Sequence, residues 1–171
     1  LPQDLILLES TGNLLWYRNG GSAQMRQTQQ PYALMGPIAD LRTYVPLPYL
    51  TSSYQINSFE AFDLNGDRAD DLVFCAQIAD FLFGHAQPVG LFIALSDGRG
   101  GFRSLQRFPL SGNCMGAKSE DRDQNGSKET LFLLIDRTTG TGISSEVVMA
   151  QLSVLATGQA AVNMGTPQGV S

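Results

Sequence analysis

The sequence predicts an all-β fold, on three observations. Short apolar runs are bounded by Gly, Asn, Asp and Ser, helical periodicity is nearly absent, and a repeat of about sixty residues runs through the chain. In chain order the runs are LILL (5–8), LLWY (14–17), LVFCAQI (72–78), GLFIAL (90–95), LFLLI (131–135) and VVMAQLSVL (147–155). Between them stand the turn signals ESTGN, RNGG, SDGRGG and RTTGTG, where Gly and Asn admit backbone angles that β-branched residues resist. An amphipathic helix would need apolar residues every three to four positions over a longer window, and residues 55–160 show no such stretch.

The repeat gives the architecture. PQDLILL (2–8), ADDLVFC (69–75) and SKETLFL (127–133) align on Asp4, Asp71 and Glu129, spaced by 67 and 58 residues. Each acid leads into a run apolar at every position, the pattern of a strand covered on both faces. A sheet of this size between two others suits a blade of a β-propeller, so the expectation is about three four-stranded antiparallel blades. The divisions expected are a partial blade at 1–58 with a Tyr/Pro-rich insertion, then blades at 59–116 and 117–171. Closed propellers take about four to eight blades, so three imply a partial propeller, completed by the rest of a longer protein or by further copies in a homo-oligomer.

Charge excludes some functions. A net charge of −5 with no basic cluster argues against nucleic acid and anionic membrane surfaces, and the longest apolar runs are too short for membrane insertion as a helix. Without an initiator Met or a leader pattern, the chain is expected to be processed or excised from something longer. Two cysteines, Cys75 and Cys114, permit one disulfide or two buried thiols.

Nine of the sixteen acidic residues crowd into two windows around DLNGDRADD (63–71) and DRDQNGSKE (121–129). Such crowding is repulsive unless something neutralises it. Oxygen-bearing side chains fall at positions 1, 3, 5 and 9 of each window: Asp63, Asn65, Asp67 and Asp71, then Asp121, Asp123, Asn125 and Glu129. Gly66 or Gly126 supplies the sharp turn, and the position-7 carbonyl comes from Ala69 or Ser127. A set made only of hard oxygens points to Ca²⁺. An EF-hand begins the same way but ends in a bidentate Glu at position 12, where this chain has Phe74 or Phe132.

FEAFDLNGDRADDLVF (59–74) and VGLFIALSDGRGGF (89–102) resemble the FG-GAP, or VCBS-type, repeats of integrin α-subunit propellers and many secreted bacterial proteins. LPQDLILLESTGNLLWYRNGG (1–21) is similar to such a repeat entered just after its metal loop has begun. The likeness covers about two-thirds of the chain, and departs from the family at Arg68, where Gly is usual, and at Ser127. It implies a Ca²⁺ ion pinning the loop that starts each inner strand, and work outside the cell in adhesion, sugar binding or assembly. Millimolar extracellular calcium suits the affinity of such small loops.

Other features carry less chemistry. His85 is the single histidine, so no histidine metal cluster can form, and no P-loop or nucleophile elbow is present. Residues 31–54 hold four of the five tyrosines and four of the eight prolines. Rings on Pro-stiffened loops, here Tyr44, Tyr49 and Tyr54, suit a carbohydrate or protein ligand; a packed connection is the alternative. The expectation is thus a non-enzymatic, calcium-stabilised module for extracellular recognition, adhesion or assembly. Its rival is a propeller within a secreted polysaccharide hydrolase or lyase, using acids outside the calcium loops: Glu9, Asp40, Asp80, Asp97, Asp136 or Glu146.

Overall fold

The computed structural model describes residues 4–19, 32–82, 84–98, 101–103, 105–122, 124, 128–139 and 142–170. All six apolar runs fall on strands, with only Leu95 and Leu155 one residue past a strand end, and no α-helix occurs among the described residues. β1 (Leu5–Leu8), β2 (Asn13–Asn19) and β3 (Tyr32–Asp40) form a first sheet in that order. After a 3-10 turn at Leu41–Thr43, β4 (Ser52–Phe62), β5 (Asp71–Asp80), β6 (His85–Ala94) and β7 (Gln106–Phe108) form the second. β8 (Asn113–Glu120), β9 (Thr130–Thr139), β10 (Gly142–Val154) and β11 (Ala160–Met164) form the third, with β12 (Gln168–Gly169) also on β10. Every pairing is antiparallel, and all but that of β12 with β10 join strands consecutive in the chain, as short antiparallel connections allow. The second and third sheets open at Ser52 and Asn113, so the divisions expected at 59 and 117 fall inside β4 and β8.

The sheets stack, with the second in the middle. One side of β5 and β6 (Leu72, Phe74, Ala76, Ile78, Phe92) packs with Leu14, Leu41 and Tyr54 against the first sheet. The other side (Val73, Cys75, Leu91, Ile93) packs with Cys114, Leu131, Leu133 and Val148 of the third. This is why LVFCAQI is apolar at nearly every position: alternate residues point to opposite faces, and both faces are covered. Each fully buried Leu or Phe contributes roughly 1.5–3 kcal/mol.

A covalent link and polar contacts lock the second sheet to the third. Cys75 and Cys114 form a disulfide, the first of the two arrangements that the sequence left open. Ser58 Oγ donates to Ala117 O at 3.1 Å and accepts from Ala117 N at 2.9 Å. Glu60 accepts from Lys118 Nζ at 3.1 Å and from Ser119 Oγ at 2.9 Å. Register shifts at Ile56/Ser58 in β4 and Cys114/Gly116 in β8 mark bulges at Asn57 and Met115. They explain why these strands lack a clear alternation in sequence: Tyr54 and Phe62 are an even number of residues apart, yet lie in different clusters.

Candidate metal site

The loop between β4 and β5 is wound on its own carboxylates. Asp63 Oδ1 accepts from Gly66 N at 2.7 Å and Asp67 N at 3.2 Å, and Asp63 Oδ2 from Arg68 N at 2.8 Å. Asn65 Oδ1 accepts from Asp67 N at 2.8 Å, and Asp67 Oδ1 from Ala69 N at 2.9 Å. Short polar side chains bonding backbone two to five residues ahead are what make such a sequence turn tightly. Gly66 has φ of 79°, as its place in the turn requires. Arg68, the departure from the FG-GAP pattern, has φ of 69°, the left-handed region in which glycine is at ease.

Asp71 closes the loop. It is fully buried and holds two segments at once: Oδ2 accepts from Leu64 N at 2.8 Å, and Oδ1 from Ser96 N at 2.6 Å. Burial pushes its carboxyl above the ordinary range; the Ser96 and Leu64 N–H groups pull the other way, and the charges of Asp67 and Asp63 push it further up. A Cβ built on Gly98 would stand 3.4 Å from Asp67 Oδ2, so the turn after β6 borders the same loop.

The equivalence of Asp71 and Asp4 is visible in geometry. Leu5 faces Tyr17 and Asn19 N donates to Asp4 Oδ1 at 2.8 Å; Leu72 faces Ala94 and Ser96 N donates to Asp71 Oδ1. Glu129 differs. Phe62 faces Asp71 and Glu120 faces Thr130, so Thr130, fully buried, stands where Asp71 does, and Glu129 is the last loop residue. There the Glu129 backbone carbonyl takes the N–H of Leu152 at 2.7 Å, which replaces the side-chain contact. The loop between β8 and β9 has one residue more between its paired ends than the loop between β4 and β5, a difference that aligning the acids conceals.

The donor chemistry of the first loop fits a hard cation. Asp63, Asn65, Asp67 and Asp71 bring side-chain oxygens to one nine-residue turn with the Ala69 carbonyl between them, and a carboxylate oxygen that accepts one N–H keeps a second lone pair. Among the described residues no group of three or more His, Cys, Asp and Glu is gathered as a ready metal cluster, because these oxygens are turned towards backbone amides. In the other loop Asp123, Asn125 and Ser127 lie outside the described residues. Its two ends are placed: Glu129 Oε1 accepts from Arg122 N at 3.3 Å, whereas Glu129 Oε2 is buried with no hydrogen-bond partner among the described residues, and Asp121 is half-buried.

The tyrosines divide. Tyr54 is 3% exposed and its hydroxyl donates to Val45 O; Tyr44 donates to Leu105 O at 2.6 Å and meets Phe92 edge-on. Burial raises both phenol pKa values. With Leu41 fully buried, the stretch is chiefly the packed connection that caps the cluster between the first two sheets. Tyr49 alone of the three is open to solvent, at 60%. The sequence reading passed over what surrounds it: Leu50, Phe81 and Leu82 are also exposed, and Thr51 Oγ1 ties the two turns together through Asp80 Oδ1 at 3.1 Å.

The remaining acids serve their own turns and pairs. Asp40 binds Arg42, whose guanidinium holds its carboxyl below the usual range; Glu9 accepts from Asn13, Asp97 from Gly101 N, Asp136 from Ser145, and Glu146 pairs with Arg137 at 3.0 Å. Compared with known protein families, curated proteins and solved structures, the chain finds no match.

Proposed function

We propose that this chain is a calcium-stabilised, non-enzymatic β-propeller segment that works outside the cell in recognition, adhesion or assembly. The observation that carries the reading is the loop 63–71. Four carboxylates share nine residues at the entry to the most buried strand; among the described residues Asp63, Asp67 and Asp71 are met by backbone N–H groups and, at Asp67, by the Asn65 amide, with no basic side chain paired to them. A Ca²⁺ ion there would be held by Asp63, Asn65, Asp67, the Ala69 carbonyl and Asp71. It would remove their mutual repulsion and tie the start of β5 to the turn at Ser96.

Two further features support it. Stacked antiparallel sheets with a repeated strand order, the middle one apolar on both faces, suit successive blades. The disulfide suits an oxidising compartment. Recognition of a protein or carbohydrate ligand would fall to the end of the stack away from the acidic loop, where Tyr49, Leu50, Phe81 and Leu82 stand exposed.

A thermal melt in excess Ca²⁺, in chelator, and in chelator with Mg²⁺ added tests the reading. At a hundredfold excess over Kd a ligand specific to the folded state adds about 2.7 kcal/mol. For a chain of this size that is a rise of roughly 5–10 °C. The rise is expected with Ca²⁺ and not with Mg²⁺; three coincident curves refute it.

A further inference from the structure

The turn between β4 and β5 contains a peptide link with chemistry of its own. The chain holds three Asn–Gly pairs, at 19–20, 65–66 and 125–126, and Asn65–Gly66 is the one that lies wholly within the described residues. A main-chain nitrogen can attack the side-chain amide of the asparagine that precedes it, and glycine allows this most readily because no Cβ obstructs the approach. Gly66 is exposed, and apart from its chain neighbours no atom lies within 4 Å of the place a Cβ would take, so water reaches the pair.

The reaction needs nothing but water. Gly66 N bonds to Asn65 Cγ and closes a cyclic imide, while the Cγ–Nδ2 bond breaks. Ammonia leaves with the proton that Gly66 N gives up. Water then opens the imide at either carbonyl, which leaves aspartate or isoaspartate at position 65.

The wound loop opposes both requirements of the attack. The side-chain amide must turn its carbon to Gly66 N, yet both its arms are held forward on the next acid: Oδ1 accepts from Asp67 N at 2.8 Å, and Nδ2 donates to Asp67 Oδ2 at 3.1 Å. The nitrogen must also shed its proton. Gly66 N donates to Asp63 Oδ1 at 2.7 Å, and a carboxylate that accepts an N–H favours the protonated form of that nitrogen. Four carboxylates within residues 63–71 make a negative nitrogen costlier still.

We propose that Asn65–Gly66 is a self-modifying site, kept unreacted by the wound loop and released to deamidate when the loop opens. Either product is permanent. Aspartate adds one more carboxylate to a window already crowded with them. Isoaspartate adds a carbon to the main chain between Asp63 and Asp67, so the turn cannot close again on the same hydrogen bonds. No step requires a bound ion, so the site is independent of the calcium reading.

The whole protein is incubated at neutral pH in chelator, beside a synthetic peptide of residues 61–73, AFDLNGDRADDLV. Peptide mapping by mass spectrometry follows asparagine, aspartate and isoaspartate at position 65 over time. The folded protein is expected to react at least about tenfold more slowly than the peptide, because only the open fraction of the loop is competent. Asp63→Ala removes the acceptor of Gly66 N, Asp67 N and Arg68 N, and should raise the rate several-fold towards that of the peptide. Equal rates in protein and peptide overturn the proposal. So does slower reaction in Asp63→Ala, which would make Asp63 the base that drives the attack. If that variant does not fold, the unsubstituted protein in urea decides: it should react at the rate of the peptide, and a rate as slow as in the folded state refutes protection by the loop.

Discussion

Removing the Cys75–Cys114 bridge probes how the third sheet is held to the second. The bridged residues are 39 apart in sequence, and closing a loop of that length restricts the unfolded chain by about 4 kcal/mol. Both cysteines are buried in the cluster between the sheets, so Cys75→Ala/Cys114→Ala keeps the site apolar and mainly removes the link. For a chain of this size each kcal/mol shifts Tm by about 2–4 °C, and the double substitution should lower it by roughly 8–16 °C. Calorimetry gives the midpoint, with the unsubstituted protein in reductant as a second route to the same state. Because the bridge joins β5 to β8, hydrogen exchange should accelerate more in β8 than in β2. An unchanged midpoint, or exchange that rises equally in both strands, would refute the claim that the bridge anchors the third sheet.

Phe74→Ala should cost about 3–5 kcal/mol by denaturant titration, since the ring is fully buried and stacks on Phe92 at 5.2 Å, whereas Phe81→Ala at an exposed turn should cost almost nothing. At position 68 the usual order of residues should reverse: with φ of 69°, Arg68→Gly should be more stable than Arg68→Ala by about 1 kcal/mol, and equal midpoints would show that the turn is not strained. Asp71 gives a pH dependence of definite sign. Its folded pKa lies above the reference value of 3.8, so the folded state binds the extra proton between the two values. In chelator, therefore, stability from this group is lost as pH rises through that window, the reverse of an ordinary salt-bridged carboxylate. Asp71→Asn should flatten that part of the profile; an unchanged slope would mean the carboxyl is not the titrating group.

Much of the fold was legible because buried strands write themselves plainly. Leu72 to Ile78 are apolar on both faces, and a chain has few other uses for such a run. The opening strands of the sheets were harder: bulges at Asn57 and Met115 break the alternation, and Ser58, Glu60, Lys118 and Ser119 place polar groups at the sheet–sheet contact. The loop at Asp63 was legible in residue types, since Asx-type turns are local. The tyrosines were not, because proline and aromatic content cannot distinguish a ring displayed to solvent from one, like that of Tyr54, folded beneath its own loop.

By itself, then, the sequence determined the strand class, the repeat and the acidic turns, because each depends on side-chain periodicity or on hydrogen bonds a few residues long. Tertiary structure alone decided which strands share a face, that Thr130 rather than Glu129 occupies the position of Asp71, and that Cys75 meets Cys114. Those outcomes rest on strand register and on the meeting of residues tens of positions apart. A one-residue difference in loop length, invisible to composition, changes which side chain faces the core.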